Sequence, residues 1–145
     1  MGLFDLFKNK NKDHCQSYLK ELIRVAKADG TLEKSEYDFI LKIAAKLECN
    51  PDEVADLSKA IEVESQTETT SKGQRLKLLF DLVLIMMIDG HIDSQEMDLC
   101  YSIAIKSGFD PRTIKDIVYR IQQKREQGIE LEEATEQIYL EFSKA

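Results

Sequence analysis

Apolar side chains recur every three or four positions along most of this chain, and about seven helices account for the pattern. In the first, Tyr18, Leu19, Leu22, Ile23 and Ala26 share one face, and Asp13 is placed to cap the N-terminus. Gly30, which accepts positive φ at low cost, ends it near Asp29. A second helix, from about Lys34 to Glu48, carries Tyr37, Ile40, Leu41, Ala44 and Leu47 on its apolar face. Asn50-Pro51 restarts the chain, with Asn as cap, Pro at the first helical position and Glu53 at the third, ahead of Val54, Leu57 and Ile61. Residues 62–73 are polar and rich in Ser and Thr, a connection in which Thr70 or Ser71 caps the next helix. Leu76 to Ile88 is apolar except for Lys77 and Asp81. That is about 20 Å of helix, too short for a bilayer core, so it predicts a central buried helix. Asp93 and Glu96 have capping-box spacing for a fifth helix that reaches Ser107 and ends at Gly108. Asp110-Pro111 opens a sixth, through Ile114, Ile117, Val118 and Ile121 to about Lys124. Gly128 breaks the chain before a last helix on Leu131, Ala134, Ile138 and Phe142, and no alternating strand pattern of useful length occurs.

The pattern is duplicated. Ala28-Asp29-Gly30-Thr31-Leu32-Glu33, with Glu36 and Asp38, returns 60 positions later as Ile88-Asp89-Gly90-His91-Ile92-Asp93, with Glu96 and Asp98. The offset persists through Ile43/Ile103, Ala44/Ala104, Lys46/Lys106, Pro51/Pro111 and Asp56/Asp116. A fixed period of this size means one supersecondary unit used twice. The expected fold is all-α: two pseudo-symmetric three-helix repeats, residues 13–63 and 72–124, followed by a C-terminal helix at 130–143. These form one helical domain, 13–145, behind a short apolar and then basic segment, 1–12.

Composition narrows the function. With 145 residues, 43% hydrophobic and 32% charged, the chain is long enough for a sizeable core and has the balance of a globular protein. A net charge of −7 excludes nonspecific nucleic-acid binding, which needs a basic face, and suits cations or a basic protein partner. Cys15, Cys49 and Cys100 are odd in number and lack metal-ligand or redox spacing; they imply no disulfide framework and a reducing cytoplasm. Cys100 stands where the first repeat has Ile40, a core position. The N-terminal Gly2-Leu3-Phe4-Asp5-Leu6-Phe7, followed by Lys8, Lys10 and Lys12, has the reverse of a secretory order, and Leu6 stands where a myristoylation motif needs Ser or Thr. Packing of Phe4 and Phe7 on the domain is one reading of it, and peripheral membrane contact is the other.

The repeated Asp-Gly turns are the candidate chemistry. From Asp29 to Glu36, and from Asp89 to Glu96, the spacing matches the second half of an EF-hand loop. The first half fails, because its ligand positions hold Val25 and Lys27 in one copy and Ile85 and Met87 in the other. Pooled, Asp29, Glu33, Glu36, Asp89, Asp93 and Glu96 offer hard oxygens for Ca²⁺ or Mg²⁺. The plainer account of the same residues is structural: Asp-Gly makes a turn, Asp93 caps a helix, and Glu36 and Glu96 favour the positive end of a helix dipole. Asp81, inside the apolar helix, requires an ion pair or hydrogen bonds to a neighbouring helix end, and Glu21 is its counterpart in the first repeat. His14 and His91 have no partners for a transition-metal site, and Leu84, Ile85, Met86 and Met87 are core. No nucleophile–base constellation or phosphate-cradling glycine loop is present, so no enzyme is expected.

Ala26-Lys27-Ala28-Asp29-Gly30-Thr31-Leu32-Glu33 with Glu36, and Met87-Ile88-Asp89-Gly90-His91-Ile92-Asp93 with Glu96, resemble the TerB-like family, from about Ser17 to Ile121. The resemblance implies an all-α bundle with internal pseudo-symmetry and acidic motif residues that bind metal. It also implies association with stress-response systems, often near membranes; the family is named for bacterial tellurite-resistance proteins, and the noncatalytic binding or scaffold role follows from the residues above. Its metal residues here are Asp29, Glu33, Glu36, Asp89, Asp93 and Glu96. Two positions depart from the family pattern: Ile88 replaces the usual alanine before Asp89, and Glu33 replaces the commoner aspartate.

Overall fold

The computed structural model describes residues 12–27, 32–63, 71–88 and 92–144, which contain helices and no strand. The seven helices among them are α1 (Lys12–Ala26), α2 (Lys34–Lys46), α3 (Pro51–Val63), α4 (Lys72–Met87), α5 (Ser94–Lys106), α6 (Pro111–Glu126) and α7 (Leu131–Ser143). The first three start at 12, 34 and 51, and the next three at 72, 94 and 111, so the offset of 60 holds at every helix start. No described helix is long and apolar enough to cross a membrane.

Local chemistry explains the boundaries. Asn50 accepts from the Asp52 N–H (3.0 Å) ahead of Pro51. Ser71 accepts from the Gln74 N–H (3.2 Å) while Gln74 accepts from the Ser71 N–H (2.9 Å), a reciprocal box that starts α4 four residues before its apolar run. Asp110 caps α6 through the Arg112 N–H (2.9 Å), and the Arg112 guanidinium beside it holds its carboxyl down at about 2. Asp13 does not cap α1; the helix already includes Lys12, so Asp13 lies in its first turn, where the dipole favours an acid. Helix α1 ends at Ala26, and Gly30 lies outside the described residues.

The chain divides into two compact units, Met1–Thr70 and Ser71–Ala145. In the first, α1 packs most extensively on α3, and α2 packs on both. Its core is Leu19, Leu22, Ile23, Phe39, Ile40, Ile43 and Val54. In the second, α5 packs on α4 and α6, the direct contact of α4 with α6 is slight, and α7 lies against both. Every residue from Leu78 to Met87 is buried, as expected for a central helix. Phe80 meets the rings of Tyr139 and Phe142 edge-on, with centroids 5.3 and 5.5 Å away. In α1 the positions matching Phe80 and Leu84 are Lys20 and Arg24, neither of them buried.

Two expectations need correction. The buried stripe of α2 runs through Glu36, Phe39, Ile40, Ile43 and Ala44; Tyr37 and Leu41 are half-buried at its edges. Glu36 turns inward to cap the helix, and the residues three, four and seven positions on follow it. The second concerns sulfur: Cys49 is disulfide-bonded, whereas Cys100 is a buried thiol outside any disulfide. Separation along the chain does not limit which sulfurs meet in space, and with a bridge present, cysteine spacing gives no argument for a reducing compartment.

Candidate functional site

A helix begins shortly after each Asp-Gly pair in the sequence, and its first residues carry the acids. At the first corner Glu33 is the N-cap of α2, in extended conformation (φ −70°, ψ 154°), and Glu36 is the third helical residue. The Glu33 N–H donates to Glu36 Oε1 at 3.4 Å, and Glu36 is 3% exposed. At the second corner the Asp93 N–H donates to Glu96 Oε1, also at 3.4 Å, and the Glu96 N–H donates to Asp93 Oδ1 at 2.7 Å. Glu96 is 8% exposed. Both corners are capping boxes with an acid in the Ser/Thr role.

They are not equal. Asp93 closes its arm of the box at 2.7 Å, whereas Glu33 is in the same arrangement but makes no close cap hydrogen bond. Glu33 is one methylene longer than Asp93 at the same position. The residues two positions before each motif aspartate differ too: Lys27 in one repeat and Met87 in the other, both buried. Nothing in the residue pattern singled out Lys27, because lysine there fits an exposed helix end equally well.

Of the six acids, the structure brings together Glu33 with Glu36, and Asp93 with Glu96. Asp29 and Asp89, with Gly30, Gly90 and His91, lie outside the described residues. Among the described residues no group of three or more His, Cys, Asp or Glu side chains could hold a metal ion. What the described pairs do chemically is satisfy orphan N–H groups at two helix N-termini. The positive end of each helix dipole also moderates the repulsion between its two carboxylates.

Asp81 finds the ion-pair alternative on its own helix: its Oδ2 lies 4.0 Å from Lys77 Nζ, while its buried Oδ1 accepts no hydrogen bond. A surface ion-pair group joins the last two helices. Arg120 bonds Asp116 (3.0 Å) and Glu141 (3.3 Å) and lies over the Phe142 ring, clipping α6 to α7.

No protein-family model matches this chain, and no curated protein or solved structure matches it.

Proposed function

We propose that this chain is a noncatalytic binding or scaffold module of the TerB-like kind, associated with stress response, whose acidic face meets a basic protein partner. Its acids at the two turns act first as helix caps. The observation that carries this reading is the same reciprocal bond in both repeats, Glu36 to the Glu33 N–H and Glu96 to the Asp93 N–H. The net charge of −7 supports a basic partner, and a sequence without a nucleophile–base constellation supports a module without catalysis.

A second reading is favoured by one observation: each corner gathers two carboxylates within a single helical turn, one of them buried. With Asp29 and Asp89 these are hard oxygen donors of the kind that hold Ca²⁺ or Mg²⁺. Calorimetric titration of either ion into the chelator-treated full chain separates the two. Cation binding predicts heat and a melting temperature that rises with ion concentration, by about 2.7 kcal/mol of stability at 100 times Kd, both lost in the Asp29→Asn, Asp89→Asn double variant. Capping alone predicts no heat and an unchanged melting curve at millimolar ion.

A further inference from the structure

Asp81 sits in the part of α4 that is buried all round, and it is 3% exposed. Its Oδ1 and Arg75 Nε are the buried side-chain polar atoms among the described residues that have no hydrogen-bond partner. The repeat shows what is missing. At the matching position of α1, the half-buried Glu21 is bonded by Arg24 Nη1 at 3.0 Å; the residue of α4 that matches Arg24 is Leu84. Both units therefore carry the acid, and one carries its guanidinium.

The surroundings of Asp81 offer little replacement. Lys77 is the charged group that acts on it, from 4.0 Å, with a side chain 39% exposed. Within the unit, α5, α6 and α7 pack on α4. Of the residues those helices bury, only Glu96 and Cys100 titrate; Glu96 is turned back onto the Asp93 N–H, and Cys100 is a buried thiol outside any disulfide. The half-buried Tyr139 of α7 lies edge-on to Phe80.

We propose that Asp81 is a proton-operated catch in the second unit. Protonated, its neutral carboxyl fits the apolar packing of α4; deprotonated, it leaves a charge there that Lys77 offsets only in part, which loosens the helix. A bare carboxylate in such a place takes up a proton rather than stay charged. Burial pushes the Asp81 carboxyl from 3.8 up to about 7, against a partial downward pull from Lys77. In the unfolded chain it titrates near 3.8, so between those values the folded protein holds a proton that the unfolded one lacks. Stability contributed by this group is therefore lost as pH rises through that window, and the loss is complete above about 7. This inference is independent of the role of the acidic corners.

The test is urea unfolding of the full chain, native and Asp81→Asn, from about pH 4 to about pH 8.5. The native midpoint should fall relative to that of the variant as pH rises, and the gap should stop widening above about 7. Parallel profiles overturn the proposal. Should the variant fail to fold, carbon NMR titration of the assigned Asp81 carboxyl in the native chain decides. A midpoint near 7, raised further in Lys77→Met, supports the catch, and a midpoint below about 5 removes it.

Discussion

Asp93 and Glu33 hold the same place in their repeats and differ by one methylene, and they cap their helices unequally. A close side-chain cap is worth about 1 kcal/mol, and a cap without a close bond a few tenths. Asp93→Ala should therefore lower stability by about 1 kcal/mol, and Glu33→Ala by less than half of that, read as urea midpoints at neutral pH. At this scale the sequence was most legible where spacing and residue type are both restrictive. Asp93 with Glu96, Asn50 before Pro51 and Ser71 all cap as their positions imply. It was least legible where one residue type suits two positions. Aspartate is favoured both at an N-cap and in the first turn, so Asp13 could not be assigned between them, and Glu36 hides its inward turn behind the composition of a surface residue.

Helix ends show the same divergence between pattern and identity. Helices α2, α5 and α6 all finish with a Schellman motif: Cys49, Phe109 and Ile129 donate to Ala44, Ala104 and Lys124 at 2.8, 2.9 and 3.1 Å. The motif needs a left-handed residue, supplied by Glu48 (φ 61°), Gly108 (φ 86°) and Gly128 (φ 91°). A side chain in that region costs about 1–2 kcal/mol, which glycine avoids. Glu48→Gly is therefore expected to raise stability by about 1 kcal/mol and Gly108→Ala to lower it by about 1–2 kcal/mol, measured by urea unfolding with secondary structure checked by circular dichroism. Gly108 and Gly128 announced their helix ends, whereas Glu48 gave no sign of its conformation. The repeat offset, by contrast, was legible throughout, because cap and proline spacing set the helix starts regardless of what the helices then touch.

Across the whole molecule, periodicity revealed the helices and the 60-residue offset of their starts but not how each unit is packed. Positions 60 apart carry different partners. The first and third helices of the first unit meet directly, while α7 joins their counterparts in the second. Phe80 holds α7 through two ring contacts, so Phe80→Ala should cost about 3–5 kcal/mol and show first as lost amide-exchange protection in α7. The candidate site was legible as a pair of turns rich in acid; the reciprocal caps at both could be read at Asp93 and Glu96 and not at Glu33, whose chain length obscures the box. A consequence follows from Lys20 and Arg24 standing where α4 has Phe80 and Leu84. Those positions are one turn apart on the same side of the helix. The two cations on α1 are part-buried, while the two apolar groups on α4 are fully buried, Phe80 against the rings of α7. A difference at two positions thus sets a helix that carries charge at its rim apart from one that packs its whole circumference over the stretch Leu78 to Met87.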